Sequence, residues 1–287
     1  EEGIDLAEMY DMHKGGAIAF GDYKKSFTNA NLLKIALQYV QDFDGKVIAF
    51  ANDSSIKGKG VVHEGIVSTQ LGLKGIPALA EEVVIARNLY ILEYTGGNLH
   101  IPTISTKGSV ELVREAKAKG LQVTCSVAVH NLALTDDVLH NFDTRYKVFP
   151  PIRDKNHQEA LLNAVLDGTI DCITSDHYPL DIEHKKMEFD LAKDGTIGLE
   201  SAFGILNTFL PLDVIIEKLT AAKRIFINEK SSIEMNNPAS LTLFTPEGET
   251  TFTKANILSK SKNSAFLNQT MKGKVYGIIN NGKWIKN

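Results

Sequence analysis

The chain has 287 residues, of which 43% are hydrophobic and 23% charged, values typical of a soluble globular protein with one large domain or one domain and a small appendage. Its formal net charge of -4 gives no reason to expect nucleic acid or an anionic membrane as a partner. No apolar run approaches the roughly 20 residues of a membrane span. The N-terminus has no signal-peptide pattern. It also lacks an initiating Met, and we therefore expect the native start to lie upstream.

Short apolar segments alternate with longer amphipathic ones through the first 220 residues. The predicted strands are residues 17–20, 46–51, 99–104, 121–129 and 169–174. Apolar residues at helical intervals predict helices over residues 29–43, 77–94, 108–119, 157–166, 198–210 and 212–221. This alternation predicts parallel strands joined by helical crossovers, either in a doubly wound sheet or in part of a (β/α)8 barrel.

The C-terminal part has a different pattern, typical of β-structure. Residues 240–244, 249–252 and 275–285 alternate between apolar and polar side chains, and Asn280-Asn281-Gly282 is a hairpin signal. We therefore predict a barrel-type domain over residues 1–235 and a small β-rich segment over residues 236–287.

Both cysteines lie in apolar, strand-like runs. Cys125 and Cys172 form no CxxC pair, so they cannot supply a cysteine-based metal site. Buried reduced thiols are typical of cytoplasmic proteins, and we expect a cytoplasmic location.

The segment Thr174-Ser175-Asp176-His177-Tyr178-Pro179 follows the last predicted strand of the large domain. An Asp at the C-terminal end of a barrel strand stands where catalytic groups lie. Asp and Pro are also ordinary turn residues, so the segment alone is equally consistent with a surface turn.

Several segments together resemble the dihydroorotases, members of the cyclic amidohydrolase family. Residues 99–109 are similar to the family's "HIxHVSTKxS", residues 147–153 to "KVNPPLR" and residues 167–179 to "DGTID…TDHAPH". Further collinear matches are residues 16–22, 64–81, 198–202, 258–263 and 272–275. The resemblance implies a zinc-containing (β/α)8 barrel, here without its first strands, and a small β domain built from both termini. It also implies interconversion of carbamoyl aspartate and dihydroorotate in pyrimidine synthesis.

The resemblance places metal ligands on an HxH pair, on a carboxylate or carbamylated Lys, and on two further His. An HxH sequence occurs nowhere in this chain. The carboxylate position falls on Tyr23, or on Asp22 with a one-residue shift, and the two His positions fall on Phe50 and Thr103. Phe cannot ligate a metal, and Thr seldom ligates zinc. Asp176 alone is retained clearly, at the position of the proton shuttle.

The positions that the family uses toward substrate are also changed. The Asn of "NPPLR" is Phe149, and the second His of "DHAPH" is Leu180. We therefore predict no metal ligand and no substrate-binding residue in this chain, and no cofactor unless the family activity, and with it zinc, is retained. Asp176 is expected to make a structural hydrogen bond, as a relic of the proton shuttle.

The other polar residues near these motifs have simpler explanations. His100 and His130 are expected to be satisfied structural histidines, because neither position supplies a metal ligand in the family. By strand alternation, His177 is expected to point away from the barrel mouth. We interpret Lys24-Lys25 and residues 184–186 as solvated loop charges.

Three functions remain open from the sequence. The first is a dihydroorotase-like protein without zinc or catalysis that acts as a structural or regulatory partner, with aspartate transcarbamoylase as the candidate partner and self-association as the alternative. The second is an active zinc dihydroorotase that receives HxH from an upstream segment. Such a segment is expected, because a barrel without two strands would expose open edges. The third is a metal-free protein that binds another small molecule.

Overall fold

A computed structural model describes residues 5–227 and 233–286. Its strands are β1 (Lys46–Ile48), β2 (Val62–His63), β3 (Gly75–Ile76), β4 (Asn98–Ile101), β5 (Val123–Ala128), β6 (Cys172–Thr174), β7 (Leu241–Thr251), β8 (Thr270–Asn280) and β9 (Lys283–Lys286). Its helices are α1 (Met9–Lys14), α2 (Ala30–Tyr39), α3 (Ser54–Lys57), α4 (Ile66–Leu71), α5 (Leu79–Thr95), α6 (Lys107–Ala118), α7 (Val129–Ala133), α8 (Lys155–Leu166), α9 (Ala202–Leu206), α10 (Leu212–Thr220) and α11 (Ala222–Ile227). No helix in these ranges is both long and apolar enough to cross a bilayer.

The centre of the large domain is a parallel sheet in the order β1-β4-β5-β6. Phe20 forms a single parallel bridge to Val47 and extends the sheet at one edge. Helices α5, α6 and α8 run between successive strands and cover the outer face, as parallel strands require. The predicted strand–helix alternation is therefore confirmed for these elements.

Alternation along the strands separates a helix-facing core from an inner cavity. Leu99 and Ile101 of β4 are fully buried in the main hydrophobic cluster, whereas His100 between them lines the cavity. Val113 on α6 and Leu161 on α8 belong to the same cluster and are fully buried. The helices are thus held to the sheet by apolar burial, worth about 1.5–3 kcal/mol for each fully buried aliphatic side chain.

Short polar side chains set the helix starts next to the strands. The side chain of Thr106 accepts a hydrogen bond from Ser109 N at the start of α6, and that of Asp154 accepts one from His157 N at the start of α8. Each satisfies an N–H group that has no partner within the helix, worth about 1 kcal/mol. These caps determine where the loops after the strands end and the helices α6 and α8 begin.

Several predicted elements differ from the structure. The predicted strand 17–20 is reduced to the bridge at Phe20, and the predicted helix 29–43 divides into α2 and a 3-10 turn at Val40–Phe43. The two-residue strands β2 and β3, which pair in parallel, were not predicted because two residues carry no periodicity. The predicted helix 198–210 is shortened to α9.

The C-terminal segment forms an antiparallel sheet in the order β7-β8-β9. Asn281 and Gly282 both have positive φ, 49° and 71°, as a type I′ hairpin turn between β8 and β9 requires. Phe252 and Phe266, beside this sheet, are fully buried in the main hydrophobic cluster. The division at residue 235, which falls just after the undescribed segment 228–232, stays a prediction.

Candidate active site remnant

A cavity of about 630 Å³ opens at the C-terminal ends of β1, β4, β5 and β6. Its wall is mainly apolar and includes Ile48, Phe50, Ile173, Leu199, Phe203 and Phe226. Asp176 lies at its rim, two residues after β6 ends. The predicted position of Asp176 at the end of a barrel strand therefore agrees with the structure, while its chemical role stays a prediction.

Asp176 is paired with a lysine ammonium. Lys24 Nζ donates to Asp176 Oδ2 at 2.8 Å and to the carbonyl oxygen of Phe149 at 2.6 Å. The side chains of Lys24 and Asp176 are 18% and 6% exposed, so the pair is largely removed from water. The expectation that Lys24 is a solvated loop charge was wrong, because the chain turns inward after Phe20 and directs this side chain to the strand ends.

We use the term mouth for Tyr23, Lys24, Phe50, Thr103 and Asp176. Three of these residues have left-handed backbone conformations, listed with φ: Lys24 at 51°, Thr103 at 49° and Asp176 at 45°. Left-handed non-glycine residues are uncommon, and a β-branched residue there is a clear outlier. The surrounding structure therefore holds the backbone of the mouth in place.

The resemblance puts the family carboxylate at Tyr23, or at Asp22 with a one-residue shift, and both residues line the cavity. Tyr23 is a neutral phenol. Desolvation raises its pKa to about 12, and the nearby Asp176 carboxylate and Tyr178 add to the effect. The rings of Tyr23 and Tyr178 stack with centroids 6.1 Å apart. The residue is nonetheless 63% exposed, and a phenol is neither a carboxylate nor an imidazole, which are the usual oxygen and nitrogen ligands of zinc in proteins.

The two positions of the family's histidines offer no nitrogen either. Phe50 is 2% exposed, and its ring centroid lies 5.5 Å from that of Phe149. The Thr103 hydroxyl is buried and has no hydrogen-bond partner among the described residues. Because Lys24 already occupies one oxygen of Asp176, the residues present do not fit a zinc ion.

His130 lies just below Asp176 and differs from its prediction. Its Nε2 is 3.9 Å from Asp176 Oδ2, and neither ring nitrogen has a hydrogen-bond partner in the described part of the chain. Complete burial lowers its pKa to about 4, so the ring is neutral. It is a buried histidine as expected, but it is not a satisfied one.

Two further histidines near the family motifs, His100 and His177, behave as structural residues. His100 Nδ1 is 2.9 Å from Thr124 Oγ1, and burial lowers the pKa of His100 to about 3. His177 Nδ1 accepts hydrogen bonds from the backbone N–H groups of Gly198 and Leu199, both at 3.3 Å. His177 is thus held against the following loop, in agreement with its prediction.

A metal-like cluster lies elsewhere. Within residues 5–227 and 233–286, only His63, Asp154 and His157 bring three potential ligand atoms within 4.8 Å of one another. However, His63 Nδ1 faces Arg153 Nη1 at 3.2 Å, and His157 Nδ1 accepts from Lys107 N at 2.9 Å. Both neutral rings must therefore carry their proton on Nε2, the nitrogen that a metal would need. The cluster is better explained as two imidazole donors facing a carboxylate.

Three segments of the resemblance meet near the starts of α5, α6 and α8, in a group that sequence reasoning missed. Glu81 accepts hydrogen bonds from Ser105 N at 2.8 Å and from the hydroxyls of Ser105 and Ser109. Arg153 donates to Ser105 Oγ at 3.1 Å and to Ile76 O at 2.8 Å. We call Glu81, Ser105, Ser109 and Arg153 the buried network.

The sequence contained a signal for the buried network: two of the similar segments, 64–81 and 147–153, end in a charged residue, Glu81 and Arg153. Glu81 is 4% exposed and Arg153 is 3% exposed. Arg153 Nη2 also lies 3.9 Å from Glu81 Oε2, so the two charges partly neutralise each other. Buried charges need such pairing, and a sequence pattern of Glu and Arg in apolar surroundings is the clue to it.

Comparison with known proteins identifies the family. The chain is 40% identical over 289 residues to the dihydroorotase of Pelotomaculum thermopropionicum, covering 98% of this chain and 68% of that protein. This chain belongs to the dihydroorotase family. It is also 38% identical to the dihydroorotase of a Thermoanaerobacter species, covering 98% of this chain and 67% of the other. A family model described as Dihydro-orotase-like matches residues 1–109.

Solved structures support the fold of this dihydroorotase-family chain. The L-hydantoinase of Arthrobacter aurescens matches with a TM-score of 0.85 and 21% identity, covering 98% of this chain and 67% of the other. The D-hydantoinase of a Thermus species matches with a TM-score of 0.81 and 18% identity, covering 100% and 69%. The amidohydrolase type of (β/α)8 barrel is therefore confirmed, and the chain spans about two thirds of the length of these relatives.

Proposed function

We propose that this dihydroorotase-family chain acts in pyrimidine biosynthesis without zinc and without dihydroorotase activity, as a structural or regulatory partner of another enzyme. Aspartate transcarbamoylase is the candidate partner. The observation that carries the proposal is the Lys24 ammonium bound to Asp176 at 2.8 Å. It supplies the carboxylate with a counter-ion from the chain itself.

Electrostatics explains why this arrangement disfavours a metal. Two unit charges 4 Å apart near a protein surface interact by about 4 kcal/mol, so a divalent ion beside an ammonium group meets roughly twice that repulsion. Hydrolysis of a cyclic amide needs an activated water, which a metal ion supplies by lowering the pKa of that water. Phe50 and Thr103 offer no imidazole to hold such an ion, and the third position offers the phenol of Tyr23 or, with a one-residue shift, a single carboxylate from Asp22.

Metal analysis and an activity assay on the full-length protein test the proposal. The experiment measures zinc per chain by mass spectrometry and dihydroorotate hydrolysis by absorbance, with an active dihydroorotase purified in parallel. We expect no stoichiometric zinc and no hydrolysis above background. Tight zinc together with measurable hydrolysis would overturn the proposal.

The active zinc enzyme is the second candidate, because the relatives at 38–40% identity bear the name dihydroorotase and Asp176 is retained. HxH ligands from a segment outside this chain would have to act without nitrogen donors at Phe50 and Thr103. The assay above separates the two candidates directly.

A partner-binding experiment separates the proposed role from a third candidate, a metal-free small-molecule binder suggested by the 630 Å³ cavity. Stoichiometric co-purification with aspartate transcarbamoylase is the result expected for a partner protein. A single species without the transcarbamoylase, together with a small molecule bound beside Phe50 and Phe149, would favour the binder.

A further inference from the structure

A second concave surface lies beside the loop that follows Asp176. It is a cleft of about 1070 Å³ between residues 180–186 and residues 254–268, closed at one end by residues 144–145. Two acidic residues line it, Asp181 and Glu183. The basic residues that line it are Arg145, Lys185, Lys186, Lys254, Lys260 and Lys262. Because the whole chain has a net charge of -4, this excess of basic residues is local to the cleft.

Two of these cations are committed to the fold. Arg145 Nη2 donates to Asp143 Oδ2 at 2.5 Å, and Arg145 Nε donates to the same oxygen at 2.8 Å. Lys185, interpreted from sequence as a solvated charge, is only 3% exposed. Its Nζ donates to the carbonyl oxygens of Thr144, Lys147 and Lys193 at 2.7–3.0 Å, which uses all three of its hydrogens. Lys185 therefore has no hydrogen left for a ligand, and the charge of Arg145 is neutralised by Asp143.

The remaining lysines are available. Lys186, Lys254 and Lys260 are exposed, and their side chains have no ion pair or hydrogen bond to another described residue. Lys262 donates one hydrogen to Ile257 O at 2.5 Å and keeps two. An ammonium group is a compact charge on a flexible stem and a common phosphate binder. Four such groups around one cleft suit a ligand that carries several negative charges.

Hydrogen bonds connect the cleft to the loop that begins at Asp176. Ser261 Oγ donates to Leu180 O at 2.8 Å, and Asn263 Nδ2 donates to Gly195 O at 3.0 Å. A ligand held by Lys260 and Lys262 would therefore contact the segment that holds Leu180 and Gly195 of this loop in place.

We propose that this cleft binds a polyphosphate chain, either inorganic or the triphosphate of a nucleotide. A single phosphate would engage only part of the lysine set, whereas a triphosphate spans several ammonium groups. A folded acidic protein would need a flatter surface. The concave shape therefore favours a small molecule, which can enter the cleft. The proposal does not depend on whether the barrel mouth holds zinc.

Calorimetric titration of the full-length protein with inorganic tripolyphosphate, and separately with ATP, tests the proposal. We expect saturable binding that weakens as salt rises from about 0.05 M to about 0.2 M, because exposed charges are screened. The double variant Lys254→Glu, Lys260→Glu should weaken binding about tenfold or more. Lys59→Glu, an exposed lysine outside the cleft, is the matched control and should bind as the parent does.

The titrations also separate the two sources of the phosphate chain. Equal affinity for both ligands assigns the cleft to the phosphate chain alone, and tighter binding of ATP assigns a contact to the base as well. Circular dichroism of each variant verifies the fold, and Lys186→Gln is a milder second variant. The proposal is overturned by the absence of saturable tripolyphosphate binding, by unchanged binding in the double variant, or by equally tight binding of polyglutamate.

Discussion

The mouth and the buried network are built from the same family segments, yet they differ in what those segments retain. At the mouth, the resemblance puts two of the family's ligand positions on Phe50 and Thr103, which are unsuited to zinc, and a third on Tyr23, or on Asp22 with a one-residue shift. In the buried network, Arg153 stands at the Arg of "KVNPPLR" and Glu81 ends the similar segment 64–81, and both residues bind Ser105. The resemblance to dihydroorotases therefore predicts the buried network of this chain better than it predicts the chemistry of the mouth.

The largest expected effect is in the buried network. Arg153→Met removes the positive charge and leaves the Glu81 carboxylate buried with fewer compensating groups. We expect the free energy of unfolding to fall by about 3–5 kcal/mol, as when one partner of a buried pair is removed. Urea denaturation measures it, with Lys59→Met as a surface control expected within about 0.5 kcal/mol of the parent. A loss no larger than that of the control would contradict the structural role.

A smaller effect is expected at the mouth. Lys24→Met leaves Asp176 without its ammonium partner and should lower the free energy of unfolding by about 1–3 kcal/mol. The double variant Lys24→Met, Asp176→Asn should recover part of the loss, since the remaining group is uncharged. A double-mutant cycle by chemical denaturation measures the coupling. Additive single effects would mean that the pair contributes no stability.

Each of the two regions contains a buried histidine that should make the free energy of unfolding depend on pH. His63, which contacts Arg153, and His130, below Asp176, each have a pKa lowered from 6.5 to about 4, with burial as the largest cause. Between these values the unfolded chain binds more protons than the folded one, so stability falls as pH decreases from about 6.5 to 4. Asp136, whose pKa burial raises to about 6, acts in the opposite direction.

Two substitutions measure how much of this pH dependence comes from each histidine. His63→Gln and His130→Gln should each flatten the decline of unfolding free energy below about pH 6.5, measured by urea denaturation at several pH values. If only His63→Gln flattens it, the acid sensitivity belongs to the surroundings of the buried network. If neither variant changes the slope, the lowered pKa of both rings is contradicted.

The smallest effect is expected from the unpartnered hydroxyl of Thr103. Thr103→Val keeps the shape of the side chain and removes a buried polar group that has no hydrogen bond to another described residue. The free energy of unfolding should stay within about 0.5 kcal/mol of the parent or rise by about 1 kcal/mol. Thermal and urea denaturation measure it. A marked loss would show that the hydroxyl has a partner after all.

Sequence periodicity located much of the barrel sheet. The predicted strands 46–51, 121–129 and 169–174 contain β1, β5 and β6, and the predicted strand 99–104 overlaps β4, which begins one residue earlier, because buried parallel strands are short and apolar. The edge at Phe20 was overestimated, since an edge position makes few ladder hydrogen bonds. The pair β2 and β3 could not be predicted from two residues each.

The site could be predicted only in part. The resemblance placed Tyr23, Phe50 and Thr103, because each lies inside a motif of known order. Lys24 could not be placed, since its partner Asp176 is 152 residues away along the chain and no local pattern joins them. The same holds for Lys185, whose three carbonyl acceptors come together only in the folded chain. Pairing across distant segments is a property of the packed structure.

The left-handed backbone at Lys24, Thr103 and Asp176 has a consequence for how this chain can change. Lys and Thr gain nothing from that conformation themselves, so the shape of the loops is imposed by the surrounding barrel. The peptide path is thus set by the packing of the barrel and not by the side chains displayed on it. A route back toward metal binding, or onward to another ligand, therefore lies in exchanging side chains on a fixed frame, with no need to rebuild the loops.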